Sequence, residues 1–190
     1  VCDRSYLPAA DLAQRLKQHE QALFGVESRW PLNAFDILGF SLSYELGATN
    51  ILEMLDLCRV PIRAADRGDL PLSDPQAPPL IFAGGPTATS NPEPYSAFFD
   101  FIALGDGEEL LPEIGLVLAE GKDAGLTRSA LLLDLALVPG VYVPSLYAPG
   151  PDGVSLEPLT PGLPKRVLRR VATPMPHYAM GLVPHVETVH

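Results

Sequence analysis

The chain has 190 residues, of which 47% are hydrophobic and 19% charged. That length buries roughly 70% of the unfolded surface without help from disulfides or metals, and the apolar content excludes intrinsic disorder. With 13 basic residues against 23 acidic ones and a net charge of −10, direct nucleic-acid binding, which needs Lys and Arg against phosphates, is not expected.

In chain order, Leu12, Leu16 and Leu23 lie among polar neighbours, and their spacing predicts a helix from Ala10 to Leu23 closed by Gly25. Asp36 opens the apolar run Ile37 to Leu42. Thr49 or Asn50 is placed to cap a second helix, on which Ile51, Leu55 and Cys58 share a face. Pro61 to Ala64 reads as a short strand, and the polar, proline-rich stretch Asp66 to Pro79 as a loop. Leu80 to Ala83 is a third apolar run, ending at Gly84-Gly85-Pro86. Asp100 to Leu104 is a fourth, ending at Gly105-Asp106-Gly107. A helix from Glu108 to about Glu120 follows, with Pro112 near its first turn. Thr127 caps another, running to Leu137.

These strand candidates are continuous apolar runs, as strands covered on both faces require. Their alternation with helices predicts a doubly wound, mostly parallel α/β sheet of flavodoxin or Rossmann type. Prolines number 21, about twice the ~5% average usage, and they concentrate after Pro139. We therefore divide the chain into an α/β domain, residues 1–138, and a Pro-rich extension, residues 139–190. The extension holds Val141-Tyr142-Val143 and a strand candidate from Lys165 to Val171. Its basic cluster, Lys165-Arg166 with Arg169-Arg170, reads as a solvated strand or loop.

No stretch reaches the ~18 apolar residues of a membrane span, and no apolar signal region follows Val1. A cytoplasmic protein is expected. Cys2 and Cys58 form no C-x-x-C, and Cys58 reads as a buried apolar thiol. Two distant cysteines cannot supply the three thiolates of an iron–sulfur cluster. His177, His185 and His190 near Glu187 fit no common zinc spacing, and no metal ligand is assigned. Trp30 beside Pro31 reads as a packing anchor.

Parallel sheets bind ligands beyond the carboxyl ends of their strands. There the sequence places Ser41, Ser43 and Tyr44, then Gly84, Gly85, Pro86 and Thr87, then Gly105, Gly107 and Glu108. Glycines allow sharp turns and close approach of a ligand, and the hydroxyls suit a polar one. The same residues also make ordinary strand-to-helix turns, and residue types leave both readings open. Sharper motifs are absent: Leu110 stands where a dinucleotide fingerprint needs its third glycine, Gly121-Lys122 lacks the rest of a P-loop, and there is no G-x-S-x-G. Asp36 and Asp100 lie at strand starts, where a phosphoreceiver would not use them. No catalytic residue is assigned.

Three segments occur in order: Asp36-Ile-Leu-Gly-Phe-Ser-Leu-Ser43; Leu80-Ile-Phe-Ala-Gly-Gly-Pro86 with Asn91-Pro-Glu-Pro94; and Asp100-Phe-Ile-Ala-Leu-Gly-Asp-Gly-Glu108. Pro139-Gly-Val-Tyr-Val-Pro144 follows, and Val183 to His190 closes the chain. The set resembles the N-terminal, cobalamin-binding-type domain of a bacterial family of radical SAM proteins of unassigned activity. The resemblance implies an accessory domain, not catalytic alone. In the parent chain it would cover a radical SAM barrel that uses a 4Fe-4S cluster and S-adenosylmethionine. It also implies a first strand upstream of Val1 and a C-x-x-x-C-x-x-C beyond His190. The chain is thus expected to be a piece lacking its first strand, with Arg4 to Leu7 pairing with the Ile37 strand or staying loose. The histidine-ligating D-x-H-x-x-G of cobalamin domains is missing, and Ser41-Leu42-Ser43 only partly matches their S-x-L. Two functions remain: a cobalamin-binding domain, or an interaction and scaffold domain that keeps the fold and binds no cofactor.

Overall fold

The computed structural model describes residues 2–172, so the histidine-bearing tail lies outside the described residues. Among them are five helices: α1 (Ala10–Gln18), α2 (Gly47–Leu57), α3 (Pro86–Ser90), α4 (Gly107–Asp123) and α5 (Arg128–Leu135). The main sheet has the order β1 (Ile37–Ser41), β2 (Leu80–Gly84), β3 (Phe101–Ala103), β4 (Val141–Tyr142). β1, β2 and β3 are parallel, with Ile37 opposite Leu80 and Phe82 opposite Phe101, and β4 is antiparallel. The doubly wound, mostly parallel architecture read from the sequence is the architecture observed. A small hairpin of β5 (Tyr147–Pro149) and β6 (Leu156–Pro158) follows.

Alternation along the strands builds two cores. Leu38, Ile81, Ala83 and Ile102 face α1 and α2, which contribute Leu16, Ile51, Leu55 and Cys58. Leu80, Phe101 and Ala103 face α4 and α5, which contribute Leu110, Ile114, Leu131 and Leu135. Phe82 and Phe101 stack face to face at 5.0 Å between centroids. Gly39 makes room for that stack, because a Cβ there would lie 2.4 Å from the Phe82 ring. Val141, Val143 and Leu163 complete the second core, so part of the described segment after Val138 packs into it.

Several local expectations are corrected. α1 ends at Gln18, not Leu23: Glu20 takes a left-handed φ of 54°, and the Gln21 amide donates back to the Leu16 carbonyl, closing the helix. Leu23 is buried but extended, and its amide donates to Leu57. α2 starts at Gly47, ahead of Thr49 and Asn50, without a side-chain cap. Pro61 to Ala64 forms no strand; Ala64–Asp66 is a short 3-10 turn. Pro112 lies inside α4, beyond its first turn. Trp30 is 58% exposed, so it is not a buried packing anchor. Lys165 to Val171 contributes one parallel bridge, Gly105 to Arg170, and no regular strand. The Arg4 to Leu7 segment neither pairs with β1 nor hangs loose. Asp3 accepts hydrogen bonds from the Glu27 and Ser28 amides, the Val26 amide donates to the Arg4 carbonyl, and together these tie the segment to the 26–28 turn. Thr127 caps α5 as expected, accepting from the Ala130 amide.

At the amino ends of the strands lies a buried charge network absent from the sequence reading. Asp100 is 3% exposed and binds two buried guanidiniums, Arg67 at 2.8 Å and Arg128 at 3.1 Å. Burial pulls the Arg67 guanidinium below its ordinary pKa, and the Asp100 charge opposes that shift. Removing the carboxylate strands two buried cations. Asp100→Ala is expected to cost ~3–5 kcal/mol in urea denaturation; a loss under ~1 kcal/mol would mean that backbone carbonyls alone can hold both arginines.

Cys58 is fully buried, and desolvation pushes its thiol pKa up to about 12. Cys2 is exposed. At mildly alkaline pH a disulfide reagent should modify one thiol in the native protein and the second only in denaturant. Rapid labelling of both would contradict the packing of α2.

Candidate functional site

The carboxyl ends of β1, β2 and β3 are formed by residues 41–44, 84–87 and 105–108, as the parallel order requires. Only part of the expected set converges there. Gly85, Pro86 and Gly105 line one cleft of about 460 Å³, with Thr89, Ser90, Asp106, Arg169, Arg170 and Val171. Ser41, Ser43 and Tyr44 are exposed and do not line it; the two serine hydroxyls sit 3.4 Å apart. Gly84, Thr87, Gly107 and Glu108 also lie outside its lining. Thr87 instead donates its amide to the Leu42 carbonyl, which joins the β1 and β2 turns.

What the glycines face decides what the edge can hold. Gly85 has a φ of +98°, and a Cβ there would lie 2.9 Å from the Leu42 carbonyl oxygen. Gly105 has a φ of +96°, and a Cβ there would lie 2.0 Å from the Arg170 carbonyl oxygen. Both bare faces are filled by this chain's own backbone. The Thr89 hydroxyl accepts from the Gly105 amide at 3.0 Å and keeps its own proton to donate. The cleft that remains is of ordinary small-ligand size. The bare faces of Gly85 and Gly105 are not open for a cofactor to approach, because Leu42 and Arg170 occupy them.

Sequence reasoning missed the groups that close this edge. Arg170, read as solvated, donates its amide to Leu104 and its guanidinium to Glu109 and Glu113, the latter at 2.6 Å. Its pKa is raised, first by the Glu109 hydrogen bond. Tyr142 donates its hydroxyl to Glu93 at 2.5 Å, and burial, then that bond, raises the phenol pKa. The doubled arginine and the acids spaced four apart on α4 were visible signals, but nothing local linked them. At the amino ends of the strands a second cleft of about 420 Å³ includes Arg63, Ser96, Arg128 and Ser145. Arg128 and Asp100 there are engaged with each other.

Among the described residues no group of His, Cys, Asp and Glu could hold a metal ion, and no helix is long and apolar enough to cross a membrane. The fold is an α/β module in which Leu42 and Arg170 pack on the two positive-φ glycines at the carboxyl ends of the strands, beside a cleft of about 460 Å³. The sequence matches the family described as radical SAM proteins, N-terminal, over residues 1–144, and the chain belongs to that family. No curated protein and no solved structure matches it.

Gly85→Ala tests the closed edge without any ligand. Left-handed strain and the Leu42 contact should destabilise the domain by ~1–3 kcal/mol in thermal or urea unfolding. A neutral substitution would mean that the Gly85 face is open after all.

Proposed function

We propose that this chain is the structural accessory domain of a radical SAM enzyme, a platform that binds no cobalamin of its own. Family membership supports the setting: a barrel in the same parent chain, with its 4Fe-4S cluster and S-adenosylmethionine, would carry the chemistry. The single observation favouring a platform is that Gly85 and Gly105, the two positive-φ turns of the ligand edge, pack on the Leu42 and Arg170 backbones. In this reading the chain's own residues orient and do not react. Glu93 fixes Tyr142 and with it β4; Asp106, Glu109 and Glu113 fix Arg170 and the extension.

Titration of the chain with hydroxocobalamin, followed by its visible spectrum and by calorimetry, tests the proposal. No saturable binding is expected up to about 1 mM, which corresponds to less than ~4 kcal/mol. Stoichiometric micromolar binding would overturn the platform reading and restore the cofactor-binding one.

A further inference from the structure

We propose that the turn after β3 and the first turns of α4 form a groove for an extended peptide anchored by one arginine, with Leu168–Ala172 as its resident ligand. The inference deepens the platform reading, on which it rests for its biological sense.

The groove has a backbone part and a side-chain part. The segment runs parallel to the chain leaving β3 and bonds it as an added strand would: Arg170 amide to Leu104 carbonyl at 2.8 Å, and Asp106 amide to Arg170 carbonyl at 3.0 Å. The Asp106 carboxylate then accepts from the Ala172 amide at 2.9 Å. This is the hydrogen-bond pattern of strand-addition recognition, in which backbone gives affinity and side-chain pockets give specificity.

Two glycines make the floor. Gly105 cannot carry a side chain while Arg170 is docked, and a Cβ on Gly140 would come within 3.2 Å of the Arg170 Cβ. Two acids make the clamp. Glu109 and Glu113, one turn apart on α4, both accept from the Arg170 guanidinium, whose side chain is 23% exposed. A planar, multi-donor guanidinium suits two carboxylates better than an ammonium does. The flanking side chains contribute little: Leu168 is 73% exposed and Val171 65%. Recognition therefore rests on one arginine in an extended backbone, which makes the ligand class definite.

Amide hydrogen exchange on the full chain tests the groove. In the unaltered protein the Asp106, Arg170 and Ala172 amides should be protected. Arg170→Ala should speed exchange at Arg170 and Ala172 at least about fivefold while the Ile81 and Ile102 amides keep their protection, as expected for a local opening. Arg170→Lys should recover only part of the loss. If Arg170→Ala also exposes β2 and β3, the double variant Glu109→Gln with Glu113→Gln, which preserves shape, carries the same expectation. An acetylated peptide of residues 165–172, added to the Arg170→Ala chain, should then shift the Gly105 and Asp106 amide resonances saturably. The same peptide with alanine at its sixth position, in place of Arg170, should not.

Unchanged exchange in both variants, or equal binding by the two peptides, would overturn the proposal. Cobalamin binding to the unaltered chain with these amides still protected would sink the platform reading and leave the groove standing.

Discussion

Asp100 is the point at which the distant parts of this chain are tied together. It stands at the entrance to β3, accepts the Ile81 amide of β2, and binds one arginine from the loop before β2 and another from the start of α5. One carboxylate cannot neutralise two guanidiniums, so backbone carbonyls take the excess. Pro61, Ile62 and Phe98 accept from Arg67, and Pro78 and Pro79 from Arg128. Those carbonyls lie on loops that would otherwise have no reason to adopt one path. A buried charge network is weak evidence of stability, since desolvation offsets much of its attraction. Its physical consequence here is uniqueness: any other course of the 61–79 loop leaves a buried cation short of acceptors.

The opposite edge of the sheet is governed by backbone sterics, not by charge. Positive φ at Gly85 and Gly105 turns the chain sharply out of β2 and β3, and the space that a side chain would need is taken by Leu42 and Arg170. Glycine at the end of a parallel strand is therefore ambiguous evidence. It permits a ligand to approach, and it equally permits another piece of the same chain to do so. Which of the two occurs depends on residues far away in sequence, here 43 positions for Gly85 and Leu42 and 65 for Gly105 and Arg170.

That distance explains what could be read from the sequence and what could not. The parallel sheet was legible because Leu80 to Ala83 and Phe101 to Leu104 are apolar on both faces, a local property. The α5 cap was legible because Thr127 and Ala130 are three residues apart. Arg67 and Arg128 were not, because nothing near either one announces a buried carboxylate 33 or 28 residues away. Arg170 was misread for the same reason: charged residues in a proline-rich stretch usually face water, and only its partners on α4 say otherwise. α1 was overextended because Leu23 keeps the helical spacing of apolar residues while Glu20 breaks the backbone. The expected residues lie at the carboxyl ends of the parallel strands, but Ser41, Ser43 and Tyr44 do not line the cleft there.

The motifs that carry the family resemblance look different once their partners are known. Glu93 of Asn91-Pro-Glu-Pro94 holds Tyr142 of Pro139-Gly-Val-Tyr-Val-Pro144. Gly105 and Asp106 of the Gly-Asp-Gly-Glu turn hold Arg170 and Ala172. Gly39 of the first segment makes room for Phe82 of the second, and Gly85 of the second packs on Leu42 of the first. Each motif thus meets another motif or the extension, and their fixed order is what such stitching demands. A set of residues kept for a cofactor would instead point its polar groups into a common space. Here Thr89 and Asp106 line a cleft at the strand ends and also hydrogen-bond within the chain, while Gly85, Gly105 and Glu93 pack on or bond to neighbouring segments, so assembly of the domain already gives these motif residues a role.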